Sequence, residues 1–370
     1  MDRRRVRAPL AALLWLAACG SGGPAVPPDP CAAAGVCTSP PADACSPAGQ
    51  ALHHPASGIC TGAGGAAQCA YPPAPEDCGA AGKVCLAGAC VAPDPCALPV
   101  DGAGFLAYAA SNGTDYDLRA VRLDGSCDQP LAAGPGDDLR PSWSASAGLL
   151  VWGGVRGGNA RVVVLSLADG LQRVLDTGDH LALAPALSPD ATTVVYEDVT
   201  ASTASELYAV PVGGGVVPVR VVGHTASEWD SAPVFSPEGT WLYFVRSTLG
   251  GANVWRVPPG GGVAQQVTFV NDVQGTAAVS ADGHLLAYTR FSASGSKVVL
   301  HALSPPLEPD RVLSDHGDSE PAFPAGGGLV AVRTTRYGLT DIVLLDLASG
   351  DVAQRLTDGA RLVGTPAFPR

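Results

Sequence analysis

A motif that returns about every 44 residues constrains this chain more than anything else in it. PSWSASAGLLVW begins at Pro141, PALSPDATTVVY at Pro185, PVFSPEGTWLYF at Pro233, AAVSADGHLLAY at Ala277 and PAFPAGGGLVAV at Pro321. The spacings are 44, 48, 44 and 44 residues, and PAFPR follows at Pro366. Each unit reads as four strands. The first places an apolar residue two past the proline (Trp143, Leu187, Phe235, Val279, Phe323), and a tight turn leads to a continuous apolar second strand such as LLVW or WLYF. A third strand (RVVVLSL, NVWRVPP, DIVLLDL) and a short fourth complete the unit. Apolar runs without alternation mean burial on both faces, as in sheets stacked radially against neighbours. Four strands in 40–50 residues is the pattern of a β-propeller blade.

The two ends of the repeat region complement each other. The unit from Phe105 lacks a first strand, and TPAFPR supplies only a first strand. Joined, they make one blade and remove the last open edge. The expected fold is therefore all-β: a six-bladed β-propeller over residues 97–370, with the C-terminal strand completing blade 1. The turns SPD (Ser188 to Asp190), SPEG (Ser236 to Gly239) and SADG (from Ser280) resemble the P-x-W-S-P-D-G turn of the TolB-type propeller family. That resemblance implies the fold. By analogy alone it also suggests a scaffold in an envelope assembly.

Ahead of the repeats, the sequence carries an address. Arg3, Arg4, Arg5 and Arg7 precede an apolar stretch from Ala8 to Ala18 that is too short to anchor by spanning. Leu16-Ala17-Ala18-Cys19 resembles a bacterial lipobox, which implies a signal peptide over 1–18 and lipidation at Cys19. Residues 19–30, rich in Gly and Pro, read as a flexible tether. Nine of the 11 cysteines then fall between Cys31 and Cys96 with almost no aliphatic periodicity. A segment like this cannot bury enough apolar area, so cross-links must replace a core. No CxxC pair occurs, which argues against zinc and for a disulfide-rich module over 31–96. Nine is odd, so Cys96 is expected to pair with Cys127 and clamp the module to the propeller.

Catalytic signatures are scarce. G-x-S-x-G, H-E-x-x-H and the phosphate-binding loop are missing from the sequence. Gly317-Asp318-Ser319 lies at the entry to a strand and reads as a loop cap. His53 and His54 read as a solvated loop, and His180, His224 and His316 as exposed turns. A formal charge of −12, with Lys83 and Lys297 the only lysines, disfavours nucleic acid. Three residues before each blade-opening position stand Asp138, Ala182, Asp230, Gln274, Asp318 and Val363. Asp138, Asp230 and Asp318, with Glu320 nearby, are the candidate mouth site for a calcium ion or a basic group of a partner. Loops joining second to third strands, and one blade to the next, read as longer than the other turns, which makes theirs the expected binding face. The reading is a lipid-anchored, exported envelope protein that binds a ligand or a protein on that face. The alternative is an enzyme such as a metal-assisted polysaccharide lyase.

Overall fold

In the computed structural model, residues 31–32, 36–61, 66–200, 204–223, 225, 227–305 and 308–370 are described. The expected signal peptide, the Cys19 acylation site, the tether and His224 lie outside them. The chain divides into two compact units at Asp94/Pro95.

The second unit contains six four-stranded antiparallel sheets. Five are built from consecutive strands, beginning with Asp138–Ser144, Ala182–Leu187, Trp229–Phe235, Val273–Val279 and Ser319–Ala322. The remaining sheet takes Phe105–Ser111, Tyr116–Arg122 and Gln129–Ala132 from the start of the unit and Val363–Ala367 from its end. Val363 pairs with Ala110, and Ala367 with Ala107. Each sheet's first strand neighbours the first strands of the sheets on either side, all the way round, so these six strands line a central channel.

The apolar runs fill the spaces between sheets. Phe105, Leu118, Trp143 and Trp152 pack between sheets 1 and 2, and Val151, Leu175 and Tyr196 between 2 and 3. Leu207, Phe235 and Phe244 fill the next gap, followed by Tyr243, Leu286 and Tyr288. Phe323, Val332 and Val343, then Leu106, Ile342 and Phe368, complete the circuit. Residues on both faces of the second strands are needed for this, and Leu150, Val151 and Trp152 are all fully buried. Gly102 shows how tight the packing is. It adopts φ +68°, and a Cβ placed there would lie 2.0 Å from the Trp143 ring.

The cysteine-rich unit is held together differently. Bonds Cys31–Cys60, Cys37–Cys69, Cys45–Cys85 and Cys78–Cys90 interleave across short strand pairs. Its buried apolar side chains among the described residues are Cys37, Ala51 and Cys78. Cys96 and Cys127 are joined, with Cα atoms 5.2 Å apart. Cys96 lies on the propeller side of the division, so this bond closes a loop within the second unit. The bond expected between Cys96 and Cys127 is therefore present, and the division falls two residues before the expected boundary at 96. The physical reason is local. Arg122 donates to the Pro95 carbonyl (2.8 Å) and Gln129 to the Cys96 carbonyl (2.7 Å), binding this segment to the first sheet.

Candidate functional site

Of the three aspartates expected at a shared mouth, Asp138 begins its innermost strand, Asp230 is the second residue of its own and Asp318 directly precedes its own, yet each is turned inward and is 0% exposed. Asp138 accepts from Trp152 Nε1 (2.7 Å) and Arg156 (2.8 Å). Asp230 accepts from Arg246 through both oxygens, at 2.7 Å each. Asp318 accepts from Arg336 and from the Ser314 hydroxyl. A fourth pair, Asp272 with Arg290 at 2.6 and 2.8 Å, repeats the arrangement in sheet 5. The arginine comes from the second strand of the same blade in every case. Among the described residues, no group of three or more His, Cys, Asp or Glu is placed to hold a metal ion. The calcium-mouth reading of Asp138, Asp230 and Asp318 is therefore corrected. A carboxylate buried to this depth needs a cation beside it, and here each blade supplies its own. Burial still pushes the Asp138 carboxyl above its ordinary range, against hydrogen bonds from Trp152 and Arg156.

Glu320 behaves differently because of a recurring irregularity. Every innermost strand carries a bulge at the same place, between Leu139 and Ser142, Leu183 and Ala186, Ser231 and Val234, Val273 and Ala277, Ser319 and Ala322, and Val363 and Pro366. Arg140, Ala184, Ala232 and Glu320 sit in these bulges with φ of +53°, +43°, +49° and +53°, a region that L-residues seldom enter. Glu320 accepts from Thr276 (2.8 Å) and Thr365 (3.2 Å), one on the innermost strand of each neighbouring sheet.

The channel wall is mostly Pro, Ala, Val and Phe, and the space it encloses is about 90 Å³. Its charged members are Arg140 and Arg370. Arg370 donates to the carbonyls of Phe235 (3.0 Å) and Val279 (3.4 Å), at the ends of the innermost strands of sheets 4 and 5. Desolvation pushes its pKa down to about 10. Its backbone is fixed by Trp143, whose carbonyl accepts from the Arg370 amide, and by Ala145, whose amide donates to the Arg370 carbonyl. Sequence reasoning missed both arginines. Their signal was weak: one precedes a repeat proline, and the other follows the last repeat.

The loop asymmetry expected from the sequence is also corrected. Second and third strands run further than their apolar cores, so only Gly157 and Gly158, Leu249 and Gly250, Ala293 and Ser294, or Gly338 separate them in blades 2, 4, 5 and 6. Glycine and serine that read as loop are hairpin turns with φ > 0 residues, such as Gly158 at +80°. What this face does display is aromatic and aliphatic side chains. Leu249 is 89% exposed, Phe269 76% and Phe291 55%, and Tyr337 and Leu339 are also exposed. Among the described residues, two of the three histidines expected in turns are engaged locally. His180 sits 2.7 Å from the Tyr196 hydroxyl, and His316 faces Asp315 at 3.3 Å. In the first unit, His53 bridges Asp43 (2.8 Å) and Glu76 (3.1 Å), which raise its pKa.

Residues 104–315 match the TolB beta propeller domain family, more than half of the sequence. The chain belongs to that family. TolB from Acinetobacter baumannii is similar at 20% identity and a TM-score of 0.61, over 73% of this chain and 67% of that one. A chain of the nidogen/laminin complex is similar at 11% identity and a TM-score of 0.58, over 71% of this chain and 97% of that one. Hydrazine synthase from Kuenenia stuttgartiensis is similar at 11% identity and a TM-score of 0.56, over 73% of this chain and 49% of that one. At these identities the likeness concerns the fold, and this member of the TolB propeller family carries a cystine-bonded unit ahead of it.

Proposed function

We propose that this TolB-family propeller is an exported protein, held at the cell envelope by a lipid on Cys19, that binds another protein. The binding face is the one where second-to-third-strand hairpins and inter-blade loops meet. The observation that carries this reading is the exposure of Phe269, Phe291 and Tyr337 on that face, along blades 4 to 6. Large aromatic side chains left in water at loop tips are what protein interfaces use as anchors. The opposite face also shows apolar groups, Val217 and Val263 among them. Valine contributes little to interface hot spots, and aromatics contribute most. Five disulfides support an oxidising compartment outside the cytosol. The nidogen/laminin complex, in which a chain of similar fold meets another protein, supports use of this fold in protein recognition.

The test is a photo-crosslinking amino acid placed at position 269 in one version of the chain and at 217 in another, expressed in cells with an intact envelope. Position 269 is expected to yield one dominant protein adduct, and position 217 none. Adducts of equal yield from both positions, or from 217 alone, would reject the assignment of the face.

A further inference from the structure

The exposed apolar side chains of the loop face end against a zone of opposite character. Leu362, also exposed, follows Phe269, Phe291 and Tyr337 round the ring, and its carbonyl accepts from the Ser111 amide (2.8 Å). Ser111 is the last residue before hairpin 112–115 of blade 1, which carries Asp115 and leads into Asp117. Next in order stand Asp137, in the loop from blade 1 to blade 2, and Asp176 and Asp179, in the loop from blade 2 to blade 3. None of these five carboxylates forms an ion pair within 4.0 Å among the described residues. Those with partners are held by amides. Asp115 accepts from Gly136 (2.9 Å), Asp117 from Asn112 Nδ2 (2.8 Å), Asp137 from Tyr116 (3.0 Å) and Asp176 from Gly178 (3.0 Å). An amide fixes a carboxylate in place without cancelling its charge. Arg161, bonded to the carbonyls of Ala160 and His180, offsets one charge of the five.

Blades 4 to 6 are different. Their strand-end aspartates, Asp230, Asp272 and Asp318, are each matched by an arginine of the same blade. One face is therefore apolar and charge-balanced over blades 4 to 6, and acidic and unbalanced over blade 1 and the two loops that follow it. We infer that the protein bound here presents an apolar anchor with lysine or arginine beside it, an inference that rests on this face being the protein-binding one. The anchor sits on blades 4 to 6, and the cations lie over Asp115, Asp117 and Asp137. The reason is the water that docking removes. A partner seated on the aromatic side chains also covers the adjoining carboxylates. A neutral partner leaves those charges without water or counter-charge, and an acidic one adds repulsion. A basic one replaces the lost water with charge-assisted hydrogen bonds. The same field draws a basic partner in and orients it before contact.

The experiment titrates the purified full chain into a dye-labelled peptide, Phe-Leu-Trp-Gly-Gly-Lys-Lys-Arg, and reads fluorescence anisotropy. A second peptide has three glutamates in place of the basic block, and a third has three serines in place of the apolar one. Saturable binding of the first peptide is expected, with the other two at least about tenfold weaker. Asp115→Asn/Asp117→Asn/Asp137→Asn keeps an oxygen to accept from each amide and removes only charge. It is expected to weaken the first peptide about tenfold at about 10 mM salt and hardly at about 1 M, where screening acts within ~3 Å. Asp190→Asn/Glu238→Gln/Asp282→Asn, in the tight turns of the opposite face, removes as much charge and is expected to leave binding unaltered. Melting temperatures check that both variants fold, and Asp176→Asn/Asp179→Asn replaces the first if it does not. No saturable binding of the basic peptide, equal or tighter binding of the acidic one, or equal losses in the two triple variants would overturn the inference. Phe269→Ser/Phe291→Ser separates it from the reading of the face. Full affinity in that variant rejects the face, whereas a loss there with no effect of the aspartates rejects the basic partner alone.

Discussion

Replacing Arg246 with methionine is expected to destabilise the propeller by about 3–5 kcal/mol, read from urea denaturation of the whole chain. Asp230 is fully buried and Arg246 is 5% exposed, and the pair is joined through two bonds of 2.7 Å. Arg246 also lies over the rings of Phe244 (5.4 Å) and Trp255 (5.2 Å) and 3.7 Å from Glu228. Methionine fills the same space between the rings but leaves the Asp230 carboxylate buried without its guanidinium. Adding Asp230→Asn to Arg246→Met is expected to restore a large part of the loss, because the amide needs no counter-charge. Arg220 pairs with Glu206 at 3.0 Å but is 48% exposed, and Arg220→Met is expected to cost no more than about 1 kcal/mol. Equal effects at Arg246 and Arg220 would contradict the account of the inward-turned aspartates.

The second large effect is expected from reduction. Among the described residues of the cystine-bonded unit, Ala51, Cys37 and Cys78 are the buried apolar side chains, so these residues draw little from hydrophobic burial. In the chain-entropy account, each of its cross-links, with separations of 29, 32, 40 and 12 residues, contributes about 3–4 kcal/mol. Removing all four leaves nothing of comparable size in their place. Dithiothreitol followed by limited proteolysis is expected to digest the unit up to about Asp94 and to leave the propeller intact, as seen by mass spectrometry. The propeller loses only Cys96–Cys127 and keeps its six inter-sheet clusters. A reduced first unit as resistant as the oxidised one would show that it has a core after all.

The propeller was legible because its signal is repeated. The motif at Pro141, Pro185, Pro233, Ala277 and Pro321 marks five innermost strands, and Thr365-Pro366 marks the strand that closes the ring. The aspartates were misread for want of a partner. Asp138 and Arg156, Asp272 and Arg290, and Asp318 and Arg336 are each 18 residues apart, and Asp230 and Arg246 are 16 apart. That spacing is the distance from the start of one strand to the end of the next, so the ion pairs could have been read from it. The bulges were not legible, because Arg140, Ala184, Ala232 and Glu320 adopt positive φ with no common residue type. Tertiary closure of the ring, not local preference, sets them. The loop faces were misread because Gly and Ser mark a two-residue hairpin as readily as a long loop.

The central claim is that this propeller binds a protein through the aromatic side chains of one face. The measurement that tests it most directly is the affinity of the purified chain for the protein captured at position 269, compared with Leu249→Ser/Phe269→Ser/Phe291→Ser. These side chains are 89%, 76% and 55% exposed, so their removal leaves the core untouched. The account predicts a loss of about 100-fold or more in affinity with an unchanged melting temperature. Affinity equal to that of the unaltered chain would contradict it.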